Sequence, residues 1–219
     1  MKNSDKNLSL IHLIVGQMAA NCYILFDKIT RDAMIIDPGD DEEYIFDTII
    51  KENLNPKLIA LTHGHFDHCL AACFLEVNFS ISTYIHQKDL FLLHKMKDCA
   101  RFYLKRSIEN IPPQNLKQFT KDSLKLGNQI IRIIHTPGHT PGGICLFVKT
   151  YKSMVFSGDL LFAHGLTGRT DFSYSDTRLM HQSLRKIFNL AGDTIIYPGH
   201  GEKSTILIEK SFHDLHMKR

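Results

Sequence analysis

The chain has no tryptophan, no Cys-x-x-Cys pair, no long run of like charge and no apolar stretch long enough to span a bilayer, and each lack removes a class of function. Its five cysteines (Cys22, Cys69, Cys73, Cys99, Cys145) are an odd set without ribbon spacing, which argues against both a disulfide framework and a zinc ribbon. Reduced, mostly buried thiols are expected. The most apolar N-terminal stretch, Leu8 to Phe26, is broken by His12, Gln17 and Asn21 and carries no signal-peptide pattern, so a cytoplasmic protein is expected and no membrane partner. With 26 Lys+Arg against 23 Asp+Glu, scattered and without interleaved aromatics, nucleic acid is not implied. No repeat, low-complexity tract or linker divides the chain, and 219 residues at 43% hydrophobic suit one domain with a sizeable core.

What the chain has in plenty is histidine, thirteen in all. Four metal-capable side chains fall within His63-Gly64-His65-Phe66-Asp67-His68, directly after the apolar stretch Lys57 to Thr62. In an extended loop, residues two apart point to the same side, so His63 and His65 can serve one ion while Asp67 and His68 face a second position. His12, His86, His94, His181, His213 and His216 lack clustered partners and are expected to be structural or surface residues.

Short strands are predicted near Leu10 to Val15, Cys22 to Phe26 and Ala33 to Ile36, closed by the turn Asp37-Pro38-Gly39-Asp40. A helix capped by Asp40 or Asp41 carries Ile45, Phe46, Ile49 and Ile50, and a second, from Asp67 to Val77, carries Leu70, Cys73, Phe74 and Val77. A strand at Ile81 to His86 follows. Residues 87–128 are expected to form a partly helical cap beside the site. Further strands are predicted at Gln129 to His135, Ile144 to Val148, Met154 to Ser157 and Thr194 to Tyr197, with helices at Asp176 to Asn189 and Ser204 to Met217. Three of these strands end in loops that carry His139, Asp159 and His200, each beside glycine, which permits tight turns and close backbone approach.

Together His63, His65, Asp67, His68, His139, Asp159 and His200 are too many ligands for one zinc and suit two. If Asp159 bridges, a water between ions about 3.5–4 Å apart is deprotonated near neutral pH. Asp37 has two readings: an acceptor that fixes a metal-bound histidine, or the first residue of an Asp-Pro-Gly turn. Arg169 could grip a substrate carboxylate or pin its own loop to Asp171. His164 and Tyr174 flank the same region and could line a substrate pocket.

The order His-x-His-x-Asp-His, then His139, Asp159 and His200, resembles the metallo-β-lactamase fold superfamily over nearly the whole chain. Asn21-Cys22-Tyr23 and Ile36-Asp37-Pro38-Gly39 resemble its opening strands. His135 to Gly143 and Gly168-Arg169-Thr170-Asp171 resemble signatures of its glyoxalase II-like branch. The resemblance implies an α/β fold, a four-layer αββα sandwich with the metals at one edge. It implies His63, His65 and His139 on one metal, Asp67, His68 and His200 on the other, and Asp159 on both.

It also implies two zinc ions, with iron or manganese as alternatives in one or both positions. Asp159 and Asp67 are the expected catalytic residues, the first by holding both metals and the second by orienting the attacking water. The implied activity is thioester hydrolysis, to carboxylate plus thiol, on a small-molecule substrate, with a homodimer as an oligomeric option. Only 19 residues follow His200, so residues 1–219 are expected to be a single domain without the C-terminal helical substrate domain of glyoxalase II proper. Asp159 and His68 speak against a dedicated β-lactamase. The alternatives are a mono-iron persulfide dioxygenase, which shares the Gly168 to Phe172 stretch, and a promiscuous lactone, β-lactam or phosphodiester hydrolase. A non-catalytic metal-binding scaffold ranks last.

Overall fold

Alternation along the strands decides the layering. A computed structural model describes residues 7–216, with side chains described through residue 213. Strands β1 (Leu8–Val15), β2 (Ala20–Asp27) and β3 (Asp32–Ile36) pair antiparallel as a meander. Helix α1 (Glu42–Lys51) crosses to β4 (Asn55–Ala60), which pairs parallel with β3. Helix α2 (Ala72–Phe79) leads to β5 (Ser82–Ile85), and α3 (Leu90–His94) and α4 (Met96–Leu104) lead to β6 (Leu116–Gln118), both strands again parallel.

A second six-stranded sheet holds β7 (Ser123–Leu126), β8 (Gln129–His135), β9 (Ile144–Val148), β10 (Met154–Gly158), β11 (Ile195–Pro198) and β12 (Ser204–Thr205). Only the β10–β11 pair is parallel, spanned by α5 (Thr177–Ile187), and α6 (Ile206–His216) closes the described chain.

Alternate residues of each central strand feed different layers. Tyr23, Leu25, Met34 and Ile36 of the first sheet meet Ile131, Ile144, Leu146, Val148 and Phe156 of the second in the middle of the sandwich. Their neighbours Cys22, Ile24, Ala33 and Ile35 face outward onto Ile45 and Ile49 of α1 and Leu75 of α2. On the far side, Cys145, Phe147, Val155 and Ile196 pack beneath Met180, Leu184 and Ile187 of α5 and Ile206 of α6. Complete burial of Ile45 and Ile49 stabilises the fold by about 1.5–3 kcal/mol each. The four layers are the expected αββα sandwich.

Several expectations are corrected. Asp41 stands at the N-cap of α1 in the left-handed region (φ 52°) without capping it; its Oδ2 instead accepts from Gly16 N at 2.7 Å. The helix expected over 67–77 breaks in two, a 3-10 turn at Phe66–His68 and then α2. The cause is tertiary: Leu70 and Ala71 N–H groups donate to Gly39 and Pro38 carbonyls, which draws the segment onto the Asp-Pro-Gly turn. Val77 and Leu207 are exposed at 72% and 68%, while Glu76 and Glu209 are buried in their helices. Residues 87–128 hold α3 and α4 and also the edge strands β6 and β7. Met217, the expected end of the last helix, lies outside the described residues.

Candidate metal centre

The ends of β4, β8, β10 and β11 meet at one edge of the sandwich, where strand ends of α/β proteins collect function. After β4 the chain stays extended: Leu61 N donates to Tyr84 O, and Thr62 N to Asp37 Oδ1 at 2.7 Å. That holds His63 and His65 on one side, with His63 Nε2 3.1 Å from His65 Nδ1. The loop between β8 and β9 brings His139 Nε2 to 2.9 Å from the same His65 nitrogen. These three form one group of converging ligand atoms.

Asp67, His68 and His200 form another. His200 Nε2 lies 3.3 Å from both His68 Nε2 and Asp67 Oδ2. The β11 end is fixed from the first sheet, since Asn21 Nδ2 donates to the carbonyls of Pro198 and Gly201 and Tyr23 OH to Pro198 O. Asp159, just beyond β10, stands between the groups. Its Oδ2 is 3.5 Å from His139 Nε2, and its Oδ1 is 3.4 and 3.9 Å from His68 Nε2 and His200 Nε2. The structure thus brings together all seven side chains singled out in the sequence.

The protons on these rings can be assigned from their outer partners. His139 Nδ1 donates to Arg169 O at 2.7 Å, and His68 Nδ1 to Asp37 Oδ2 at 3.1 Å. Thr62 Oγ1 gives its proton to Asp37 and so accepts from His63 Nδ1. His65 Nε2 faces Tyr174 OH at 2.8 Å. The inward Nε2 atoms of His63 and His139 are then bare lone pairs, both turned on His65 Nδ1 at 3.1 and 2.9 Å, and a single ring proton there cannot serve both well, whereas a cation among the three nitrogens would. Asp159 Oδ1 is buried without a hydrogen-bond partner, which points the same way. The donor set of imidazoles and carboxylates fits a divalent transition metal in each group.

Ionisation agrees. Burial, then the neighbouring histidines, hold His63 well below its usual value and bring His65 down to about 4, so both rings are neutral, the form a metal takes. Burial also opposes a charge on His68, but Asp159 and Asp67 outweigh it and push the ring up to about 10. Asp67 is held well below the carboxylate range, because His68 and His200 outweigh its burial. The second group thus attracts positive charge. His63 and His68 are sealed in, whereas the side chains of Asp67 and His200 are 14% and 26% exposed, so the site opens on that side.

The remaining candidates divide. Asp37 both turns the chain (φ 50°) and accepts from His68 and Thr62. Arg169 makes a two-pronged pair with Asp171 (2.9 and 2.8 Å) and lies over the Phe172 ring, so its fork is spent on its own loop. The exposed His164 ring pairs with Glu202 at 2.9 Å. Tyr174 reaches the site by touching His65 and stacks on Phe172. Sequence reasoning missed Thr62 and Asp89, the latter a fully buried carboxylate that holds Gly64, Thr140 and Gly142.

The profile described as the metallo-beta-lactamase superfamily matches residues 15–200. The chain belongs to that superfamily. A Haemophilus influenzae relative named hydroxyacylglutathione hydrolase GloC is 36% identical over 206 residues, covering 93% of this chain and 95% of that protein. The crystal structure of BLEG-1, named a B3 metallo-beta-lactamase, superposes with a TM-score of 0.84 at 33% identity, covering 93% of this chain and 97% of its own. That of TTHA1623 in a di-iron-bound form gives 0.81 at 30% identity, covering 91% and 96%. Membership of this superfamily and the paired His/Asp groups make the chain a metal-binding member of a hydrolase superfamily.

Proposed function

We propose that the protein is a dinuclear metal-dependent hydrolase of small-molecule thioesters, cytoplasmic and acting through a single domain spanning residues 1–219. The observation that carries this reading is Asp159, whose two oxygens are turned to different ligand groups. A carboxylate so placed can hold two ions at once. His63, His65 and His139 would hold one metal, and Asp67, His68 and His200 the other. Two bound zinc ions would supply a water acidified toward neutral pH and an electrophile for the carbonyl oxygen.

Asp67 is on the open side of the site, 3.3 Å from His200 Nε2, and its low proton affinity keeps it an anion that can accept a hydrogen bond from that water. It orients the attack and is a weak base. One water proton passes to solvent as the oxygen bonds to the carbonyl carbon, the C–S bond breaks with its electron pair on sulfur, and the proton left on the new acid goes to the thiolate, giving carboxylate and thiol. A thiolate leaves without much general-acid help. The GloC relative supports a thioester, and the di-iron relative makes iron the alternative metal. All five cysteines are unpaired, and no helix among the described residues is long and apolar enough to cross a membrane, which accords with the cytoplasm.

The test pairs metal analysis with three assays on the purified chain: thioester hydrolysis, thiol-dependent oxygen uptake and β-lactam hydrolysis. About two metals per chain with thioester turnover is the expected result. About one iron with oxygen uptake would replace the proposal by the dioxygenase reading. β-Lactams are included because of the likeness to BLEG-1, and turnover of β-lactams without thioesters would overturn the substrate class.

A further inference from the structure

One carboxylate outside the ligand set touches both loops that supply the first group of nitrogens. Asp89 closes a 3-10 turn (Gln87–Asp89) after β5 and is fully buried. Its Oδ2 accepts from Gly64 N at 3.2 Å and from Thr140 Oγ1 at 2.7 Å, and its Oδ1 accepts from Gly142 N at 2.5 Å. Gly64 lies between His63 and His65, and Thr140 follows His139. The two loops belong to different sheets.

We propose that Asp89 is a positioning residue that sets the spacing of His139 against His63 and His65, and with it the retention of metal by that group. The inference rests on the metal-centre reading above. A main-chain bond from Ile144 N to Thr62 O (2.9 Å) already joins the two loops at their bases. Asp89 adds a tie next to the ligands themselves, where a shift of a few tenths of an ångström changes a coordination bond. The approach is close enough to dictate residue type: a Cβ at Gly142 would fall 2.6 Å from Asp89 Oδ1, and one at Gly64 2.8 Å from Asp89 O.

The tie is stiff at both ends. Asp89 N donates to His86 O, and the helix that follows is anchored by buried Leu92 and Leu93. The second loop is gripped again by His135, whose Nε2 lies 3.0 Å from Pro141 O. With its oxygens spent on Gly64, Thr140 and Gly142, the Asp89 carboxylate serves as an acceptor for the loops and not as a ligand. Its hydrogen bonds land on Gly64, Thr140 and Gly142, beside His63, His65 and His139 and on no residue adjoining Asp67, His68 or His200, so its loss is expected to act first on the first group. That asymmetry separates a positioning residue from a general contributor to stability.

The experiment uses the full chain loaded with zinc and three variants, Asp89→Asn, Thr140→Val and Thr140→Ser. Zinc release into EDTA is followed with time, and histidine-selective 15N spectra report which rings lose their metal. An amide offers one acceptor oxygen where the carboxylate offers two, so Asp89→Asn strands a donor on one loop. It is expected to speed release from the first group about tenfold or more, with the His63, His65 and His139 signals changing while His68 and His200 stay metal-bound. Thr140→Val keeps the carboxylate and removes one donor, so it gives a smaller acceleration at the same rings even if the Asp89 variant fails to fold. Thr140→Ser restores the parental rate. Parental release from folded Asp89→Asn and Thr140→Val, or equal acceleration at both groups, overturns the proposal. A parent that holds two zinc ions but cleaves no thioester overturns only the substrate reading, and a parent that binds no metal overturns both.

Discussion

Asp37 Oδ2 accepts a hydrogen bond from His68 Nδ1 at 3.1 Å, and the two side chains are 2% and 0% exposed. The bond occupies Nδ1 and so makes Nε2 the nitrogen of His68 that can be given to a metal. In Asp37→Asn the fixed Thr62 N–H holds the amide oxygen at the Oδ1 position, so the NH2 takes the Oδ2 position and faces His68 Nδ1. The ring must then carry its proton on Nε2, the nitrogen that faces His200. We expect metal affinity at the Asp67, His68 and His200 group to fall about 10–100-fold. A competitive chelator titration measures this, and parental affinity would remove Asp37 from the site.

Much of this arrangement was legible in the sequence, because the ligands are dense within Gly64's neighbourhood and each later one follows an apolar strand. Strands β8 and β9 were readable for the same reason, their alternation being carried into two different cores. Strand β6 was not, since Leu116, Lys117 and Gln118 are all exposed and leave no apolar period. The break of the 67–77 helix was hidden because Pro38 and Gly39, which cause it, are far off in the chain. Asp89 was invisible for the same reason: its partners are 25, 51 and 53 residues away. Local pattern reports faces and turns, whereas side chains that brace a site from a distance leave no period to read.

Substitutions at Asp159 and Asp67 distinguish the two proposed metal positions. Asp159→Ala removes a carboxylate whose two oxygens are turned to different groups, so metal content and thioester turnover are expected to vanish together. Asp67→Ala leaves His63, His65, His139 and Asp159 in place, and about one metal per chain is expected to remain. Metal analysis after desalting decides both, and full metal in the Asp159 variant would dismantle the bridging assignment.

Gly199 and Gly201 flank His200 but matter for different reasons. A Cβ on Gly199 would lie 2.3 Å from Asp159 Oδ1 and 2.8 Å from His68 Cε1, so Gly199→Ala must push the Asp159 carboxylate or the ring aside. Gly201 has open space around it, yet its φ of 75° strains any side chain. Gly199→Ala is expected to lose metal and to destabilise by about 1–3 kcal/mol. Gly201→Ala should cost about 1–2 kcal/mol with metal content intact. Thermal melts with metal analysis test the contrast, and equal metal loss in both variants would defeat it.

Away from the metals, His86 and His135 stack face to face, with ring centres 4.4 Å apart and planes within 1°. Burial, then a charge on His135, then Lys88 bring His86 down to about 4; burial foremost also lowers His135, and Lys88 and Lys186 add to it. In the unfolded chain a histidine takes its proton near pH 6.5. Between about pH 6.5 and pH 4 the unfolded state therefore binds more protons, and stability falls as pH falls through that window, with no contribution from this pair above it. Protonation of His86 would also cost the acceptor that its Nδ1 gives to Lys88 N. His86→Asn keeps an acceptor there and removes the titration, so its Tm should fall less steeply from pH 6.5 to 4 than that of the parent, with both saturated with zinc at fixed salt. Parallel curves would show that the stacked pair does not couple folding to acid.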